Sequence, residues 1–98
     1  MAAKSVQVLQ SAAFARAYKK LHNNQKLDVD NAVGVIIKTP DIGEPKRGDL
    51  AGVYVYKFKS NSQLMLLAYE YDPETRMLLL LGSHENFYRD LERQISEG

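Results

Sequence analysis

The spacing of apolar residues changes repeatedly along this chain, and each change predicts an element. Val6, Val8 and Leu9 lie in a short segment of near-alternating polarity, which predicts an opening strand from about Lys4 to Gln10. From Ser11 the period becomes helical. Phe14, Ala17, Tyr18 and Leu21 follow i, i+3, i+4, i+7, with Arg16, Lys19 and Lys20 on other faces and Ser11 as N-cap. Asn23-Asn24 breaks this helix. Val29, Ala32, Val33, Ile36 and Ile37 predict a second one, capped by Asp28 and stopped before Pro40. Pro40 to Asp49 has no apolar period and reads as a surface loop.

Beyond the loop the period drops to two. Tyr54, Tyr56 and Phe58 point one way and Val53, Val55, Lys57 and Lys59 the other, so this stretch is a strand. Ser60 to Ser62 turns the chain into Leu64–Tyr71, whose nearly unbroken apolar character predicts a central strand covered on both faces. Asp72-Pro73-Glu74-Thr75 fits a type I turn before a closing strand, Met77–Leu81. Phe87, Leu91 and Ile95 then mark one stripe of a terminal helix, for which Ser83 is the expected cap. The order is β-α-α-β-β-β-α. Strands joined by short turns form an antiparallel meander, and a helical hairpin has an apolar face to lay on it, so the class is α+β, an antiparallel sheet packed against the hairpin in two layers.

Composition adds limits. The 98 residues make a single domain over 1–98, with a thin core that a covering partner would stabilise. A net charge of +1 neither demands nor excludes a polyanion, so a nucleic-acid site has to come from local clustering. There are no cysteines, which removes disulfides and thiolate chemistry. Asp28, Asp30 and Asp41 make no convincing metal constellation, so no metal or cofactor is expected. No apolar run approaches the ~20 residues of a spanning helix or suggests a leader, and a cytoplasmic protein without membrane association is the expectation.

The order of elements, the length and the closing sequence Leu81-Gly-Ser-His-Glu-Asn-Phe-Tyr-Arg-Asp-Leu91 resemble the RelE/ParE superfamily of type II toxins over essentially the whole chain. Three stretches carry the resemblance. Arg47-Gly-Asp-Leu-Ala-Gly52 is similar to the Leu-x-Gly that leads into the family's second strand, and Val53 to Tyr69 matches the strands that follow. Gly82-Ser-His84, with Tyr88 four positions on, resembles the Gly-Thr-His of the YafQ branch. Tyr56-Lys-Phe-Lys59 looks like the RelE branch's Tyr-Lys-x-Lys and precedes Tyr69 by the same interval as the family's third-strand tyrosine. The match fails at Leu66, where members that cleave RNA often carry Arg.

What the resemblance implies is a toxin released from a cognate antitoxin protein, acting on messenger RNA, free or on the ribosome. Its rival implication is a poison of DNA gyrase, which needs no proton-transfer residue; a third is a non-catalytic co-repressor that keeps only antitoxin binding. For the first, His84 is the candidate for proton transfer, because imidazole titrates near neutrality. Tyr88, one helical turn away, is its companion in the catalytic site. Lys57 and Lys59, two residues apart on one strand face, suit a phosphodiester, and Arg47 in the preceding loop is expected at the same rim. Arg76, Arg89 and Arg93 extend this basic surface. Plainer readings stand beside these: a surface histidine, edge-protecting lysines, and Tyr88 as core packing beside Phe87. His22 reads as a structural group complementing the C-terminal dipole of the first helix.

Overall fold

The computed structural model describes residues 6–97, so Lys4 and Ser5 of the expected first strand lie outside the described residues. Within them the chain runs β1 (Gln7–Gln10), α1 (Ala12–Lys19), α2 (Asn23–Lys38), β2 (Glu44–Pro45), β3 (Tyr54–Ser60), β4 (Gln63–Tyr71), β5 (Thr75–Ser83) and α3 (Phe87–Glu97). The sheet order is β1-β5-β4-β3-β2. The expected meander is there, β3 to β5, all antiparallel. The opening strand, however, pairs with β5 in parallel, because the helical hairpin carries the chain back along the sheet before β3 begins. The loop also contributes more than expected: Glu44 and Pro45 pair with Val55 and Tyr54 as a two-residue edge strand.

Alternation along β4 decides the packing. Met65, Leu67 and Tyr69 enter one core with Phe14 of α1 and Val29, Ala32 and Ile36 of α2. Leu66 and Ala68 enter a second core on the opposite face, with Val53, Val55, Leu79 and with Phe87 and Leu91 of α3. The expected two layers are therefore three: the terminal helix lies on the far side of the sheet from the hairpin. Its apolar stripe had no other surface to cover once the hairpin filled the first face.

Local chemistry explains the boundaries. Ser11 caps α1 as expected, its Oγ accepting the Phe14 N–H at 3.0 Å while its hydroxyl donates to the Leu79 carbonyl at 2.6 Å. The second helix begins at Asn23, a full turn before the expected cap. His22 is extended there, and its N–H donates to the Gln25 side chain at 3.3 Å. His22 thus precedes a helix N-terminus instead of closing the first helix. Asp28, freed from capping, accepts the buried Ser60 hydroxyl at 2.8 Å and ties α2 to the β3 end. Similarly Ser83 belongs to β5, and α3 starts after a turn in which Asn86 takes a φ of +60°. The β3–β4 connection places Asn61 and Ser62 at φ +52° and +64°, the backbone of a tight hairpin turn.

Two buried polar side chains pin the hairpin to the sheet. Arg76, expected at the basic surface, is 5% exposed. Its guanidinium donates to the Ile36 and Ile37 carbonyls at 3.2 and 3.1 Å and to those of Asp72 and Thr75 at 2.7 and 3.0 Å. It thereby satisfies orphan carbonyls of the last turn of α2 and sets a cation at the negative end of that helix. Tyr69 is fully buried; its hydroxyl donates to the Pro40 carbonyl at 2.6 Å and accepts the Gly43 N–H at 2.9 Å. Gly43 has to lack a side chain, since a Cβ there would stand 2.6 Å from that hydroxyl. Burial pushes the Tyr69 hydroxyl above its ordinary pKa, so it remains a neutral donor at neutral pH.

Stability should follow these bonds. Arg76→Leu is expected to cost about 2–4 kcal/mol by urea denaturation, because buried carbonyls lose charged donors; a loss under about 0.5 kcal/mol would show that the cap is dispensable. Tyr69→Phe, which keeps the ring but orphans the Gly43 N–H and the Pro40 carbonyl, should cost about 1–3 kcal/mol in the same measurement.

Candidate functional site

The strand face that carries the second core runs out of apolar residues toward one end of the sheet, and there the charged groups gather. Lys57 stands opposite Leu66, which stands opposite Gly82 on β5. One step on, Lys59 faces Leu64 and Met65 faces its neighbour Ser83 across the other ladder. Both lysines are exposed on the same face, about 10 Å from β5 by strand spacing. His84 follows β5 in the three-residue turn to α3 and is exposed. Phe87, buried against Gly82, anchors the start of α3 and so sets where this turn sits.

His84 and Tyr88 come together, their rings edge to face with centroids 6.3 Å apart. Tyr88 does two things at once. It packs on the second core and meets Phe87 edge-on at 5.4 Å, as the plain packing reading holds, yet it is only half-buried and keeps one side toward His84. On its ring face lies the Lys46 ammonium, 4.8 Å from the centroid, a cation–π contact. Lys46 Nζ also sits 3.3 Å from the Glu44 carboxylate. Burial draws the Lys46 pKa down, but the polar interactions with Tyr88 and Glu44 outweigh it and hold it above its ordinary value, so this cation is charged at neutral pH.

Arg47 is exposed in the loop, and its carbonyl accepts the Leu50 N–H at 3.3 Å. It is Lys46, its neighbour in the loop and a residue with no place among the candidates of the sequence analysis, that reaches Tyr88. The signal was the register of β2, two residues long, which turns Lys46 toward the face shared by Val53 and Val55. Arg89 and Arg93 are exposed on α3, whereas Arg76 belongs to the hairpin as described above. Leu66, where a cation was sought, is fully buried between the Lys57 and Gly82 positions as part of the second core. An arginine there would have to break out through α3 packing.

Among the described residues, no three His, Cys, Asp or Glu side chains gather as a metal site requires. No helix of the described residues is long and apolar enough to cross a membrane. The cluster His84, Tyr88 and Lys46, with Lys57 and Lys59 along the same face, therefore offers a titratable imidazole, a phenol and several cations at an exposed rim.

Comparison with solved structures bears on the fold. A chain of the E. coli RelBE toxin–antitoxin complex superposes with a TM-score of 0.67 at 16% identity, covering 83% of this chain and 99% of that one. An E. coli RelE toxin mutant in the free state gives 0.73 at 13% identity, covering 95% and 96%. A chain of the RelBE2 toxin–antitoxin complex of Mycobacterium tuberculosis gives 0.68 at 23%, covering 82% and 99%. At such identities the likeness is one of fold. Among curated proteins no sequence matches significantly. The family model described as the ParE-like toxin of type II bacterial toxin–antitoxin systems matches residues 8–92, nearly the whole domain. The chain belongs to this family of ParE-like toxins of type II bacterial toxin–antitoxin systems.

Proposed function

We propose that the toxin is a metal-independent endonuclease of messenger RNA that blocks translation when its antitoxin is absent. The observation that carries this reading is the exposed His84 imidazole set edge-on against Tyr88, with the Lys46 ammonium over that same ring. Cleavage without a metal requires a base to take the 2′-hydroxyl proton as the 2′-oxygen attacks phosphorus. An acid must protonate the departing 5′-oxygen, and cations must stabilise the charge on the phosphorane-like transition state. His84 supplies the proton transfer. Tyr88 orients the phosphate with its hydroxyl or stacks on a base, and Lys46 keeps its ring in place. Lys57 and Lys59 hold the phosphodiester along β3, with Arg47 on the adjoining loop.

The partner that silences this site is a cognate antitoxin protein. Relatives of the same fold were crystallised as toxin–antitoxin complexes, and the thin core leaves Val8, Leu9, Ile42 and Leu64 at least 38% exposed for such a partner to cover. The second reading, a gyrase poison, is favoured by two observations: the family model is that of ParE-like toxins, and Leu66 withholds a cation from the row between Lys57 and Gly82.

His84→Ala separates them. The variant should lose growth inhibition, with messenger RNA cleavage down by ~100- to 10,000-fold, the usual worth of one acid–base group. Its melting temperature and antitoxin affinity should match the parent, because His84 is exposed. A folded variant that stays fully toxic, with gyrase-linked DNA breaks on induction, would sink the nuclease reading.

A further inference from the structure

β1 accompanies β5 only part of the way. Their ladder ends at Gln10 opposite Leu78, and the Ser11 N–H still reaches the Leu78 carbonyl before the chain turns off into α1. Among the described residues, none pairs as a strand with the outer edge of β5 from Leu80 to Ser83. A groove of about 440 Å³ follows this edge, floored by Leu80, Leu81 and Met65 and bordered by Arg16 of α1, Lys20 at its C-cap and Asp90 of α3. Its far end holds Ser83, and the next residue is His84.

We propose that this groove carries the phosphodiester backbone of the RNA strand that runs to His84, with Arg16 and Lys20 as positioning cations. The proposal rests on the nuclease reading above. The two side chains are four residues apart on one helix face, so they stand side by side along the groove. Both are exposed, and among the described residues neither forms an ion pair.

Charge decides which wall an RNA strand would follow. Residues 1–27 hold five cations and no carboxylate, while all twelve carboxylates and the other eight cations lie beyond. The near-neutral total thus conceals a basic opening segment, of which Arg16, Lys19, Lys20 and Lys26 lie in or beside α1 and the start of α2. The first turn of α2 has no acidic residue to neutralise its dipole, and Gln25 from that turn lines the groove. Asp90 borders the groove as well, so its lining carries two cations against one carboxylate, whereas the adjoining hollow is lined by Glu85 and Asp90 with no cation and repels a polyanion. An acidic extended peptide would also meet Arg16 and Lys20. RNA is favoured because the groove reaches Ser83, the residue before His84, and because Gln25, Gln63 and Ser83 supply donors suited to phosphate and ribose oxygens.

The test is Arg16→Gln/Lys20→Gln in a cell-free translation system, with the whole chain as it stands. The KM for messenger RNA should rise about tenfold with kcat within about twofold. The dependence of log affinity on log salt should flatten by about 1.4, the share of two single-strand phosphate contacts. Melting temperature and antitoxin affinity should be unaltered. An unchanged KM would overturn the proposal. So would antitoxin binding weakened as much as RNA cleavage, since that assigns the groove to a peptide. A photoreactive residue at Ala13, which lines the groove, should capture the message beside the cut; capture of ribosomal RNA or antitoxin instead would contradict it. If the unaltered chain cuts no RNA at all, the nuclease reading has failed first, and the groove proposal falls with it.

Discussion

Five consecutive residues of β4, Met65 to Tyr69, are each 5% exposed or less, and everything else in the molecule is arranged to make that possible. A strand buried on both faces needs a layer on each side. The hairpin α1–α2 supplies one. The other comes from α3, which is short, and from the turn at Leu50. Because α3 must lie on that second face, the chain leaving β5 has to cross the end of the sheet. His84 sits in that crossing, with Tyr88 in the first turn of the helix behind it. The exposed end of the sheet is therefore a consequence of burying β4, and the candidate chemistry occupies the place the packing left open.

The same constraint explains Leu66. A position in the middle of β4 that faces α3 pays for any charge with desolvation, and here the helix closes over it. The cations that would surround a phosphate are displaced to the margins of the core: Lys57 and Lys59 on the exposed end of β3, and Lys46 over the ring of Tyr88. Strong burial on the hairpin side is offset by Arg76 and Tyr69, whose hydrogen bonds go to backbone groups of α2 and the following loop. These two polar side chains hold the hairpin and the following loop to the sheet.

Much of this was legible in the sequence, because period is a local property. The alternation of Val53 to Lys59, the continuous apolar run of β4 and the stripe Phe87, Leu91, Ile95 gave the meander and its terminal helix their true types. Ser11 was recognisable as a cap. What could not be read was which face each helix would take, since an apolar stripe does not name its partner; the third layer followed only from the alternation of β4 between two cores. Asp28 looked like a cap and instead accepts the Ser60 hydroxyl, because the helix starts earlier, where the Asn24 and Gln25 side chains accept backbone N–H groups of Gln25 and His22. Arg76 looked like surface charge, and only the position of the α2 terminus reveals what it serves. In the candidate site the pair His84 and Tyr88 was visible from spacing. Lys46 was not, because a two-residue strand leaves no periodic trace.

The central claim is that side chains of this protein transfer protons during RNA cleavage without a metal. The ends of the cut message report on this most directly. Attack by the 2′-oxygen leaves a 2′,3′-cyclic phosphate, or the 3′-phosphate from its opening, on one fragment and a 5′-hydroxyl on the other. End-specific ligation and mass analysis of messenger RNA from cells after brief induction should find those ends, and find them undiminished when purified toxin acts with divalent ions chelated on an RNA substrate that it cuts unaided. Fragments ending in 3′-hydroxyl, or an intact message accompanied by gyrase-linked DNA breaks, would contradict the account.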